Sequence, residues 1–163
     1  SMAKSLGSGF PISAFWVRAP YADLLSPGLH ATTFGGTPLA CAVAMKVLEI
    51  VARDRLADNA RTVGAHLKSG LENLARQFPR VLTSVRGLGL MIGFELADKE
   101  AIPAFASGPK TAAAQFVDRL HAAGVLTVPA GARVVRLLPP LNLSRAEADE
   151  GLAIIEQVVR GLA

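Results

Sequence analysis

From Pro38 to about Phe78 the chain repeats apolar residues at helical spacing. Leu56, Ala60, Val63, Leu67, Leu71, Leu74 and Phe78 step by fours and threes, which lines one face of a helix. Forty residues in a single helix would run about 60 Å at ~1.5 Å each, more than one small core can cover. The pattern therefore predicts a break, placed near Arg53-Asp54, and a helix that bridges two domains. Thr37-Pro38 supplies its start, a hydroxyl at the N-cap and a proline at the first helical position.

The flanks read differently. Lys4-Ser5-Leu6-Gly7-Ser8-Gly9 is a Gly/Ser-rich loop, and Ile12-Ser13-Ala14-Phe15-Trp16-Val17 has the β-branched and aromatic content of a short strand. Pro20 to Pro27 reads as a short helix or irregular segment, and His30 to Gly36 as loop. Beyond residue 80, Leu90, Ile92, Phe94 and Leu96 alternate with Met91, Gly93 and Glu95, the period of a half-buried strand. Gly87 and Gly89 before them suit a turn, so residues 81 to 97 read as strands around it. Residues 101 to 109 read as loop, and Lys110 to Ala123 as a helix stopped by Gly124. Val125 to Val128 and Arg133 to Leu138 read as short strands, the second ended by Pro139-Pro140. Ser144-Arg145-Ala146-Glu147 is a capping box opening a final helix with Ala148, Leu152, Ile155, Val159 and Leu162 on one face. The reading is α/β to α+β in three parts: residues 1–37, a bridging helix over 38–78, and a small C-terminal α+β domain over 79–163.

Composition removes several function classes. The 163 residues are 51% hydrophobic and only 18% charged, against roughly 25% charged in an average soluble domain, which excludes disorder. The best apolar run, Pro38 to Val51, carries Lys46 and Glu49, so no membrane span is expected. A net charge of +4 invites a nucleic-acid reading, but the 17 basic residues are scattered without aromatic interleaving, so none is expected. The single cysteine, Cys41, lies in an Ala-rich stretch and reads as a small core residue in a reducing, cytoplasmic setting. No signal peptide is expected, and Ser1-Met2 reads as a scar before a chain that starts in mid-sequence. No His/Cys/Asp/Glu spacing suggests a metal, and His66 and His121 read as surface or boundary residues.

Three segments could carry chemistry. Lys4 is either an exposed lysine or an amine nucleophile of the kind that forms Schiff bases, with glycines that let a planar ligand approach. His30 to Pro38 combines hydroxyls, glycine N–H groups and a helix start, which makes either an anion site or a tight turn with an N-cap. Arg136 sits inside an apolar strand and needs an anion, a structural carboxylate or water, whereas Arg133, nearer the loop, reads as exposed.

Together these segments resemble the class III aminotransferases that depend on pyridoxal phosphate, of the acetylornithine/ornithine type. Ala3-Lys4-Ser5-Leu6-Gly7-Ser8-Gly9-Phe10-Pro11-Ile12 is similar to the family's lysine segment, and His30 to Cys41 to its phosphate-contacting loop. Arg86-Gly87-Leu88-Gly89-Leu90-Met91-Ile92-Gly93 and Val135-Arg136-Leu137-Leu138-Pro139-Pro140-Leu141 are similar to two small-domain segments. The departures are Ser8 and Ser13 for glycines, Thr37 for asparagine and Leu88 for a frequent lysine.

The resemblance implies the C-terminal portion of a fold-type I transferase. Residues 1–37 would be a remnant of the large cofactor-binding domain, whose missing strands leave apolar surface open. It implies Lys4 as the Schiff-base lysine and proton carrier. It implies Thr33 as a donor to the cofactor phosphate across a homodimer interface, and Arg136 as the holder of the substrate α-carboxylate. The reaction implied is ω-amino transfer from an amino acid, N-acetylornithine first, to a 2-oxo acid, 2-oxoglutarate. 4-Aminobutyrate, ornithine or succinyl-diaminopimelate are alternative donors. The expectation is that the chain alone is inactive; the alternative of another class is a non-catalytic dimerisation or interaction domain.

Overall fold

The computed structural model describes residues 1–26, 28–29, 31–33 and 35–163. Their contacts divide the chain into two units, Ser1–Leu56 and Ala57–Ala163.

The first unit is built on α1 (Pro38–Arg53). Thr37 takes the cap position and Pro38 the first helical one, but the Thr37 side chain makes no capping hydrogen bond. Two 3-10 turns precede the helix, Lys4–Leu6 and Ala19–Leu25. The first lies against α1, and among the described residues Leu6, Ala40 and Ala44 are the buried apolar ones of this unit. The strand expected over Ile12 to Val17 does not form. Ala14 makes one isolated bridge with Met2, and Phe15, Trp16 and Val17 stay exposed. A strand needs a continuous ladder and an apolar face to pack on, and neither is present among the described residues. Cys41 is half-buried rather than a core residue.

α1 ends at Arg53 and α2 (Leu56–Gln77) opens three residues later. Asp54 leaves helical geometry with ψ near 4°, and Arg55 takes φ 51°, a left-handed conformation that a continuous helix cannot contain.

The second unit holds the main core. β1 (Leu82–Leu88) and β2 (Met91–Leu96) form a hairpin. α3 (Pro103–Ala106), α4 (Ala112–Ala122), β3 (Val128–Pro129), β4 (Val134–Leu137) and α5 (Arg145–Arg160) follow. The sheet order is β1-β2-β4-β3, antiparallel throughout. Strand alternation sends Ile92, Phe94, Leu96, Val135 and Leu137 to one face, where they meet Leu67, Leu71 and Leu74 of α2, Phe116 and Leu120 of α4, and Ile155 and Val159 of α5. Phe94 and Phe116 pack edge to face, with ring centroids 5.6 Å apart. The opposite face carries Leu88, Met91, Gly93, Glu95 and Arg136, all exposed or half-buried.

Two expectations need correction here. Residues 101 to 109 contain a helical turn, α3, because Phe105 is fully buried and anchors it. Of Val125 to Val128 only Val128 joins a strand. The Val125 N–H is taken by the Leu120 carbonyl at the end of α4, so the chain there is still closing the helix.

Candidate active-site segments

Lys4 opens the turn Lys4–Leu6 with φ 53°, and Ser8 (φ 45°) and Gly9 (φ 105°) follow in the same half of the map. A non-glycine residue there is uncommon and strained, and such strain gathers at functional positions. The left-handed backbone at Ser8 suits the glycine that the family pattern has there. The loop winds on itself: the Gly7 N–H donates to the Lys4 carbonyl at 3.0 Å and the Phe10 N–H to the Gly7 carbonyl at 2.9 Å. A Cβ at Gly7 would lie 1.9 Å from the Phe10 carbonyl oxygen, so this glycine makes room for the chain's own backbone rather than for a ligand. The Lys4 side chain is exposed and forms no ion pair or hydrogen bond with a described residue.

Thr33 is also exposed, three residues before Gly36 (φ 68°) turns the chain into Thr37-Pro38 and α1. The Cys41 N–H reaches the Thr37 carbonyl at 3.0 Å, the first bond of the helix. The Leu39 and Ala40 N–H groups of the first turn therefore have no acceptor within the helix, and the helix dipole favours an anion beside them. His30 and Phe34 of this loop lie outside the described residues. Lys4 and Thr33 belong to the first unit and Arg136 to the second.

Arg136 is exposed on the outer face of the sheet, paired in register with Gly93 on one side and Val128 on the other. No described residue pairs with its guanidinium. An exposed Arg136 is one of the alternatives its sequence position left open, whereas Arg133, read as exposed, is engaged. Its Nη2 donates to Glu95 Oε1 at 2.8 Å and its Nη1 to Asp98 Oδ1 at 3.0 Å. Arg133 lies just before β4, beside the Glu95–Val134 pair, and outside the strand its side chain is free of the alternation and reaches Glu95. The Ser84 hydroxyl and Arg86 Nη1 donate to the other Glu95 oxygen, at 3.2 and 3.3 Å. The Ser84 hydrogen bond, with Arg86 and Arg133 beside it, holds the Glu95 carboxyl below its usual range against the opposing desolvation.

Glu95 was invisible as a hub in the sequence, where it is one polar position in an alternating strand. His66 is half-buried on α2, as a boundary residue should be, and bonds Asp149 of α5, a partner 83 positions away that the sequence does not reveal. An open groove of about 370 Å³, lined by Leu67, Leu126, Leu143, Ala148 and Ile155, contains none of the three expected site residues. Among the described residues no cluster of metal-binding side chains occurs, and no helix is long and apolar enough to cross a membrane.

Residues 1–159 match the family described as aminotransferase class-III. An acetylornithine aminotransferase of Gloeobacter violaceus is 41% identical over 158 residues, covering 97% of this chain and 36% of its own length. One from Nostoc sp. is 42% identical over 157 residues, covering 96% and 34%. Among solved structures, the ornithine aminotransferase of Toxoplasma gondii ME49 superposes with a TM-score of 0.83 at 35% identity, over 98% of this chain and 36% of its own. The acetylornithine aminotransferase of Elizabethkingia anophelis gives 0.74 at 32% identity, over 85% and 32%. The chain spans about a third of the length of these relatives.

Proposed function

Because the chain belongs to the class-III aminotransferases, we propose that it carries the lysine, one phosphate contact and the carboxylate-binding arginine of an ω-aminotransferase. Its donor in this reading is N-acetylornithine and its acceptor 2-oxoglutarate. The observation that carries this is the set of acetylornithine aminotransferases that align with at least 96% of the chain at 37 to 42% identity. Ornithine is the second reading, favoured by the ornithine aminotransferase structures among the fold's neighbours.

The residues present fit pyridoxal phosphate in their donor chemistry. An exposed primary amine at Lys4 can bond an aldehyde carbon, and the Thr33 hydroxyl with the N–H groups of the first turn of α1 can take a phosphate. When bound, the cofactor supplies an electron sink for the substrate carbanion. Lys4 then serves twice in this reading, first as the covalent anchor and, once freed, as the base and acid that moves a proton through its Nζ. Arg136 orients the substrate by its α-carboxylate, leaving the distal amine to react. Residues 1–37 are read as part of a large domain, 38–78 as a bridge and 79–163 as the small domain. A homodimer and a cytoplasmic setting belong to the same reading.

The test is reductive trapping. Pyridoxal phosphate is added to the purified chain, borohydride reduces the adduct, and peptide mapping locates it. One adduct per chain at Lys4, lost in Lys4→Ala, supports the assignment. Label spread evenly over Lys46, Lys110 and the other lysines overturns it.

A further inference from the structure

Two arginines stand in equivalent places on either side of β2. The register pairs Gly93 with Arg86 of β1 and with Arg136 of β4, so each arginine is a diagonal neighbour of Glu95 on the same face. Diagonal neighbours in an antiparallel pair stand ~7–8 Å apart, a span that long side chains bridge. On the β1 side the bridge forms, with Arg86 Nη1 donating to Glu95 Oε2 at 3.3 Å. On the β4 side it does not, and no described residue pairs with Arg136.

The Glu95 carboxylate accounts for the difference. Oε2 accepts from the Ser84 hydroxyl and from Arg86, while Oε1 accepts from Arg133 Nη2 at 2.8 Å, the shortest of its three contacts. Asp98 Oδ1 holds the other arm of the Arg133 fork at 3.0 Å, so that guanidinium is fixed from both sides. A charge-assisted bond of this length is the strong kind, and a third arginine finds the oxygen on its side already taken. Glu95 and Asp98 against Arg86 and Arg133 also make the cluster neutral, which leaves no net attraction for Arg136.

We infer that Arg133 is a positioning residue: by filling Glu95 Oε1 it keeps Arg136 unpaired and open to an incoming anion. Its consequence for the reaction rests on the carboxylate role proposed for Arg136 above.

Arginine labelling of the full chain with phenylglyoxal, followed by peptide mapping, tests this. Arg145, exposed at the start of α5, is the internal standard. Arg133→Met lets Arg136 swing onto Glu95 and slows its labelling by about two- to sixfold, the range an exposed ion pair gives. Adding Glu95→Gln to Arg133→Met removes the charged acceptor and restores the original rate. Arg133→Lys, which can still reach Oε1, keeps most of it. Far-UV circular dichroism checks that each variant is folded. An unchanged rate in Arg133→Met, or a slowing that persists in the double variant, overturns the inference. A parallel labelling with 2-oxoglutarate present reads the substrate role separately. If Arg133→Met slows Arg136 but 2-oxoglutarate does not protect it, Arg133 has the positioning role and the carboxylate reading of Arg136 falls. If 2-oxoglutarate protects Arg136 and Arg133→Met changes nothing, that reading stands and the inference falls.

Discussion

Alanine in place of glycine inside a helix is ordinarily stabilising by about 1 kcal/mol, because the backbone loses less entropy. Gly64 in α2 should behave in the opposite way. A Cβ there would lie 2.1 Å from the Gly89 carbonyl oxygen and 2.3 Å from its carbon, both backbone atoms of the hairpin turn. Neither can rotate aside, so α2 and the turn must separate. Separation opens the small core of Ala60, Val63, Leu90 and Ala148. Overpacking of this kind costs ~1–3 kcal/mol, and here backbone takes the whole displacement, so the upper part of the range applies. The propensity gain offsets part of it, and Gly64→Ala should lose about 1–2 kcal/mol. Two helical glycines serve as controls. At Gly70 the Cβ meets the end of the Leu152 side chain, which can swing away, and at Gly151 it meets nothing within 4 Å. Gly151→Ala should gain up to about 1 kcal/mol, with Gly70→Ala between the two. Urea titration reads all three as shifts in midpoint at constant slope, with a slope of roughly 1–3 kcal/mol per molar. A Gly64→Ala midpoint at or above that of the unaltered chain would refute the close-packing argument.

Phe94→Ala removes a fully buried ring that packs edge to face with Phe116 and should cost ~3–5 kcal/mol by the same titration. Ser144→Ala removes the hydroxyl that accepts from the Glu147 N–H, and its loss should lower stability by about 1 kcal/mol, read as a drop in Tm. The folded-state pKa of Glu95 is depressed, so its contribution is complete above the ordinary glutamate value of 4.5 and is lost as pH falls through the depressed one. Glu95→Gln should therefore lower the urea midpoint at neutral pH and shrink the difference from the unaltered chain toward pH 3, and a difference that is constant with pH would contradict this.

The helical periodicity made α2 and α5 legible, since residues at i, i+3 and i+4 share the buried face. The capping box at Ser144 marked the start of α5 to the residue, because it is a local bond between neighbours in sequence. The hairpin was legible for a similar reason: alternation and two glycines act over a dozen residues. What could not be read is what depends on distant partners. Ile12 to Val17 has strand composition but no ladder. α3 looks like loop until Phe105 has a core to enter. Of the site segments, Lys4 was named from its motif, yet its left-handed backbone could not be. Arg133 reads as exposed in the sequence because its partner Glu95 lies 38 residues before it.

The position of β4 between β2 and β3 also governs the order of assembly. The β1–β2 hairpin can close as soon as its own residues exist, but the other edge of β2 waits for a strand roughly forty residues downstream. On a chain emerging from the ribosome at ~5–20 residues per second, that edge stays open for seconds, with Ile92 and Phe94 uncovered beside it. An open, apolar edge accepts any strand that arrives first, including one from a neighbouring chain. The sheet order thus sets a window in which yield depends on crowding and temperature, independently of how stable the finished unit becomes.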